Sequence, residues 1–252
     1  MSVPFPSLSY SSAIEYWQQN LGIVGNFTSW AGQVNATSIT VINGSGATVD
    51  GSGNVVCNAT FLESGTLPAA AVTRPWAIVI GMSTSASILN GSVDLQLQVA
   101  GTETIHINRG VNTDLFIADS GGGAGFNEYN AYPNPTVITS NIFVSSDADS
   151  IWRLYQNGIL LTPSAAGISA MEDIAASSKV DLNFTSTGSY TGPAATTRTY
   201  SGIAIIKITA TGAGVTNFIA TDLPLLSNWA TQTAAGFTPA FKSGNLRYMG
   251  YW

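Results

Sequence analysis

The sequence predicts an all-β protein: an antiparallel two-sheet jelly-roll sandwich with two or three short helices. Three observations carry that expectation. Short runs alternate apolar and polar residues, or are rich in β-branched and aromatic residues. Gly, Asn and Pro turn signals separate them at close intervals, giving roughly ten to thirteen strands, the pattern of a sandwich. No repeat or linker divides the 252 residues, so a single domain over 1–252 is expected, with room for a C-terminal extension from about residue 231.

In chain order, Ser11 to Leu21 places Ile14, Trp17 and Leu21 at helical spacing and is expected to be a short helix. Ser38–Ile42 is β-branched and reads as a strand. In the run from Val55 to Phe61, alternation puts Val55, Cys57, Ala59 and Phe61 on one face. Trp76–Met82, Glu103–Asn108, Thr136–Val144 and Gly202–Thr209 are further strands by composition. Ser92–Val99 alternates cleanly, with Val93, Leu95, Leu97 and Val99 inward and Ser92, Asp94, Gln96 and Gln98 outward. Lys179–Thr185 repeats the pattern through Val180, Leu182 and Phe184. Ile151–Gln156, Asn157-Gly158 and Ile159–Leu161 form a hairpin, because Asn-Gly is the preferred type I′ pair. A second helix is expected over Asp222–Ala230, with Thr221 as N-cap and Pro224 in the first turn.

Composition narrows the function classes. Only 9% of residues are charged, eight basic and fourteen acidic, for a net charge of −6. Ordinary soluble domains carry charge on roughly a quarter of their positions. The polar surface must therefore come from Ser, Thr, Asn, Gln and Gly, which lose little side-chain entropy when ordered against a partner. Such a surface suits packing beside other subunits or binding something neutral. The thinly spread basic residues form no stripe to neutralise phosphates, so neither nucleic acid nor an anionic membrane is an expected partner. The opening Met1-Ser2-Val3-Pro4-Phe5-Pro6 lacks a charged n-region and an apolar h-region, so synthesis in a cytoplasm without an export signal is expected. Cys57 is the one cysteine, which rules out an internal disulfide and reads as a small core hydrophobe.

Three segments together resemble the concanavalin A-like lectin/glucanase superfamily, particularly the laminin-G-like jelly rolls of tailed-bacteriophage virion proteins. The first runs through Tyr16-Trp17-Gln18-Gln19-Asn20, then Thr28-Ser29-Trp30, then Val55-Val56-Cys57-Asn58-Ala59-Thr60-Phe61-Leu62-Glu63. Cys57 stands where the family usually has Phe, and Ala59 where it has Gly. The second is the hairpin from Trp152 to Leu160. The third is the Tyr200–Ile208 strand followed by the Leu223–Trp229 helix. With the low charge, this resemblance implies a non-enzymatic virion structural protein, a capsid decoration, head-fibre or tail-associated subunit. It would be located in the virion and form a homo-oligomer beside other virion subunits. The alternative is a carbohydrate-binding adhesin of a phage fibre that recognises a host-surface glycan; a glycan depolymerase is the remaining reading.

Candidate chemistry is sparse. Glucanases of this superfamily alternate carboxylates on one strand, so that acid and nucleophile share a cleft about 5 Å apart. No such run occurs, and no catalytic residue is assigned. His106 is the one histidine, sharing a polar strand face with Thr104 and Asn108. No metal site or cofactor is assigned, although Asp147 with Asp149, or Asp114 with Asp119, leave calcium open. The candidate binding residues are Asn127, Tyr129, Asn130 and Tyr132, in the Gly121–Pro135 stretch. There Tyr offers contact area at low entropic cost and Asn offers hydrogen bonds to sugar hydroxyls or a protein. Tyr248, Tyr251 and Trp252 are candidate interface residues, because aromatics crowded near the end of the sequence need an apolar partner.

Overall fold

The computed structural model describes residues 5–18, 29–31, 38–42, 47–49, 54–58, 61–64, 70–84, 92–99, 102–109, 115–119, 125–129, 137–145, 153–162, 165–166, 173–176, 179–185, 197–209 and 213–231. They form two antiparallel sheets. The strands are β1 Ser11–Gln18, β2 Ser29–Ala31, β3 Ser38–Ile42, β4 Ala47–Val49, β5 Val55–Asn58, β6 Phe61–Ser64, β7 Trp76–Thr84, β8 Ser92–Val99 and β9 Thr102–Arg109. They continue with β10 Leu115–Asp119, β11 Gly125–Tyr129, β12 Thr139–Val144, β13 Arg153–Gln156, β14 Ile159–Leu161, β15 Ala165–Ala166, β16 Lys179–Thr185 and β17 Thr197–Ile208. The eight-stranded sheet runs β14-β13-β12-β7-β17-β5-β4 with β1 also on β17, and the nine-stranded sheet runs β15-β11-β10-β9-β8-β16-β6-β3-β2. The sandwich expected from alternation is therefore the architecture found.

β17 organises the first sheet. One edge pairs with β7 from Arg198 to Lys207, while the other is shared between β5 at Thr197–Tyr200 and β1 at Gly202–Ile208. Both faces of the sheet's central strands β7 and β17 are buried. On one, Ile78, Ile80, Phe143, Leu154, Ile203 and Ile205 are at most 1% exposed, the inner face of the sandwich. Glu15 and Arg198 are also fully buried there, each held by an interaction, as a charge taken out of water requires. On the other face Val79, Ile142, Ala204 and Ile206 join Phe218, Leu223, Leu226 and Trp229 in a second core. Fully burying one such side chain contributes about 1.5–3 kcal/mol.

That second core is capped by a helical segment: α1 Gly214–Asn217, a wider turn over Phe218–Asp222, and α2 Leu223–Thr231. The Leu223 N–H donates to the Phe218 carbonyl, five residues back. Pro224 accounts for the widening, since its ring clashes with the carbonyl four residues earlier and it has no N–H to donate. The helix expected at Asp222–Ala230 is thus present, but it begins earlier. Thr221 lies inside it and is not its N-cap.

The helix approaches the sheet closely over two glycines, Gly81 and Gly202, which face each other across β7 and β17. A Cβ on Gly202 would lie 2.8 Å from the Trp229 ring, and one on Gly81 would overlap the Ala230 carbonyl. A bulge between Tyr200 and Gly202 inserts Ser201, whose Oγ donates to that same Ala230 carbonyl oxygen. On the neighbouring strand the Ser140 and Ser227 hydroxyls hydrogen-bond at 2.5 Å.

The helix expected at Ser11–Leu21 is overturned, because Ser11–Gln18 is a strand. A bulge between Ala13 and Glu15 places Ala13 opposite Ile206 and Tyr16 opposite Ala204, both partners on the helix-covered face. Two residues three apart on one face imitate a helical stripe, and the edge of β17 settles the matter. The Val55–Phe61 run is also corrected. Val55 and Cys57 are fully buried in the eight-stranded sheet, but the chain crosses after Asn58 and Phe61 begins a strand of the other sheet. The hairpin is as expected, with Asn157 and Gly158 at φ 51° and 79°.

An N-terminal arm locks the assembly. The buried Asp222 carboxylate accepts from the Ser9 and Tyr10 N–H groups at 2.9 and 2.8 Å and from the Ser11 hydroxyl at 2.7 Å. Ahead of that clasp Phe5 stacks on Tyr16 at 4.2 Å and meets the Trp229 ring edge-on at 4.9 Å.

Two predictions follow from this packing. Gly81→Ala should destabilise the fold by about 1–3 kcal/mol in urea denaturation and perturb Trp229 fluorescence, whereas Gly158→Ala, with open space around its Cβ, strains only the turn and leaves Trp229 unchanged. Asp222→Ala should cost on the order of 2–4 kcal/mol and abolish hydrogen-exchange protection at the Ser9 and Tyr10 amides, with Asp222→Asn intermediate.

Candidate functional site

Sheet register assembles a constellation that sequence order keeps apart. On the nine-stranded sheet Val41, Leu62, Leu182, Leu95, Ile107 and Ile117 occupy successive cross-strand positions, an apolar ladder suited to the sandwich interior. The adjacent row lies on the opposite face and reads Thr40, Glu63, Asp181, Gln96, His106, Ala118, Phe126. With roughly 5 Å between strands the row extends about 30 Å. Phe116 shares its face, opposite Asn108 and Glu128. The described helix packs on the other sheet.

The chemical capacity of this row follows from its residue types. By residue type the row combines two carboxylates, Glu63 and Asp181, with the amide of Gln96 and the imidazole of His106. Phe126, two strands from His106, adds an aromatic at the end of the row. Glu63 and Asp181 sit directly opposite each other, an arrangement that costs stability unless something else answers their charge.

Of the residues singled out from sequence, Asn127 and Tyr129 lie on β11, opposite Ile117 and Leu115 respectively. That is the face of the apolar ladder, not of the polar row. Asn130, Tyr132, Asp114, Asp147, Asp149, Tyr248, Tyr251 and Trp252 lie outside the described residues. His106 is on β9 as expected, between Gln96 and Ala118. Among the described residues no three His, Cys, Asp or Glu side chains gather as a metal site. Gln96, Glu63, Asp181 and Phe126 were not candidates from sequence. The outward alternation of Gln96 was legible, but the strand order that sets it beside Asp181 and His106 was not.

The cysteine is structural. Cys57 is fully buried opposite Arg198, and burial pushes its thiol from 9.0 up to about 12, with the Arg198 guanidinium opposing. Burial also raises Tyr16 and Tyr155, the latter against the pull of Arg153.

No family model matches the chain, and no curated protein does. Solved structures do share its fold. The binding domain of botulinum neurotoxin DC, in complex with SialylT, superposes with a TM-score of 0.60 at 9% identity, over 86% of this chain and 51% of that one. The botulinum neurotoxin type G receptor-binding domain gives 0.56 at 10% identity, over 84% and 52%. A Trypanosoma rangeli sialidase in complex with sialic acid gives 0.53 at 10%, over 84% and 33%. The chain thus spans about half or less of each of these proteins. What is shared is a β-rich fold found in both binding domains and an enzyme.

The buried thiol generates a pH prediction. Cys57, Tyr16 and Tyr155 hold their protons more tightly folded than unfolded, so their contribution is intact below about pH 9 and is lost as pH rises toward 12. Urea midpoints should fall over that window, and less steeply in Cys57→Ala. At pH 8 Cys57 should resist iodoacetamide in the folded protein and react fully in urea.

Proposed function

We propose that this chain is a non-enzymatic recognition subunit, a single sandwich domain that holds a host-surface glycan on the polar face of its nine-stranded sheet. The observation that carries the reading is the Thr40–Glu63–Asp181–Gln96–His106 row ending at Phe126, which joins hydrogen-bonding groups to an aromatic on one sheet face. The fold's occurrence in toxin receptor-binding domains, one of them in complex with SialylT, supports the same reading. The finer assignment is to a bacteriophage particle, as a fibre, tail-associated or capsid-decorating subunit of concanavalin A-like type. It rests on the segments from Tyr16 to Glu63, Trp152 to Leu160 and Tyr200 to Trp229, and on a surface with 9% charged residues.

Packing beside other subunits has its own support. Val137, Ile159 and Leu160 are 70%, 68% and 52% exposed, and the last two lie on β14, an end strand of its sheet. An apolar end strand without charges invites a neighbouring chain. None of the described helices is long and apolar enough to cross a membrane.

The purified chain should bind at least one glycan on an array, with affinity in the micromolar to millimolar range and no release of reducing ends from it. Complete absence of binding at millimolar ligand would leave subunit packing as the better account; reducing-end release would make the chain a depolymerase.

A further inference from the structure

Resting on the reading that the chain packs beside other subunits, and independently of glycan binding, we infer that β14 pairs antiparallel with β14 of a second copy about a two-fold axis at Leu160. Of the five large hydrophobics exposed among the described residues, three stand at this edge. Ile159 and Leu160 are on β14 itself, and Val137 leads into β12 at the end where the hairpin turn is bonded to that strand. There the Asn157 N–H donates to the Ser140 carbonyl and the Ser140 N–H donates to Asn157 Oδ1, both at 3.0 Å. The edge is therefore held in place before any partner arrives, which lowers the ordering cost of association.

Backbone register defines what can dock there. Because Asn157 bonds to β12, alternation along β13 turns Tyr155 toward β12 and turns Leu154 and Gln156 toward β14. Ile159 and Leu161, opposite Gln156 and Leu154, direct their amides and carbonyls into the hairpin. Leu160, opposite Tyr155, directs both of its groups outward, where water or another strand must satisfy them. Sheets usually guard such an edge with lysine, proline, a bulge or a covering element. β14 is Ile-Leu-Leu and is guarded only by being short.

Charge identifies the incoming strand as a second copy. No charged residue occurs between Glu128 and Asp147 or between Arg153 and Glu172, the runs that contain β12 and the hairpin. Two copies at −6 each repel wherever their acids face, and this edge lets them meet with no charge in the contact. A partner recognised by charge finds nothing here to read, whereas an identical edge is self-complementary under two-fold rotation. Antiparallel pairing about that axis sets Leu160 opposite its own copy, where the two exchange both N–H···O bonds, and sets Ile159 opposite Leu161 of the second copy. Three residues a side bury less than the roughly 1,200 Å² of a stable specific interface, so the dimer is weak and reversible.

Sedimentation velocity of the full chain should show a monomer–dimer equilibrium with a dissociation constant on the order of 10–100 μM. Leu160→Pro removes the outward N–H and no hairpin bond, and Leu160→Lys sets like charges opposite each other across the axis. Each should weaken dimerisation at least about tenfold. Mixing Leu160→Lys with Leu160→Glu should restore a heterodimer, an outcome specific to the two-fold register. Leu160→Cys should cross-link on oxidation, because a Cα separation of about 5.5 Å suits a disulfide and the buried Cys57 stays out of the reaction. Leu225→Lys, on the exposed surface of α2, should leave dimerisation unchanged. A chain that stays monomeric up to about millimolar concentration overturns the inference. So does a dimer that Leu160→Lys and Leu160→Glu, with circular dichroism spectra retained, leave intact, and that result keeps packing through another surface. Dimerisation through Leu160 in a chain that binds no glycan upholds this inference and removes the glycan reading alone.

Discussion

The fold depends on how closely α2 can lie against the eight-stranded sheet. Sandwich sheets are ordinarily covered on one face and wet on the other, but here β7 and β17 are buried on both. That is achieved at the Gly81–Gly202 pair, where the absence of two Cβ atoms lets the Trp229 ring and the Ala230 carbonyl reach the backbone. Ser201, extruded by the bulge beside Gly202, satisfies the carbonyl that the close approach would otherwise leave stranded near the helix end. Once Trp229 is seated, Tyr16 and Phe5 have a ring to pack on, and Asp222 has an N-terminal arm within reach of its carboxylate. The pieces are cooperative: each is marginal alone and supported by the others.

Local rules made much of this legible. The Asn157-Gly158 hairpin, the alternation in Ser92–Val99 and Lys179–Thr185, and the helix after Asp222 each depend on residues close in sequence, and each is present. Where nonlocal pairing decides, local reading fails for identifiable reasons. β1 carries an extra residue at Ile14, so its face pattern mixes steps of two and three and resembles a helix. Val55 to Phe61 alternates unbroken through a point where the chain changes sheets, which alternation cannot register. Pro224 lies in the first turn of α2, as expected, but a widened turn over Phe218–Asp222 carries the helical segment on ahead of it.

The polar row was hidden for a related reason. His106, Gln96, Asp181 and Glu63 come from four strands, and the order β9-β8-β16-β6 that sets them side by side is not sequential. Each taken singly is an ordinary polar strand residue. The Tyr- and Asn-rich stretch after Gly121 is conspicuous by composition, and of its candidate residues Asn127 and Tyr129 pair opposite Ile117 and Leu115.

On the glycan reading proposed above, a face built on strands would have a physical advantage for weakly bound sugars. Sugars offer hydroxyls that water already satisfies, so each hydrogen bond to protein returns little net free energy. Affinity then depends on how little ordering the protein must undergo on binding. Residues fixed at successive positions of a nine-stranded sheet have lost their backbone freedom at folding and not at binding. The two sheets thus divide the work. The central strands of the eight-stranded sheet, buried on both faces by core and helix, supply stability, and the described helix does not pack on the other sheet.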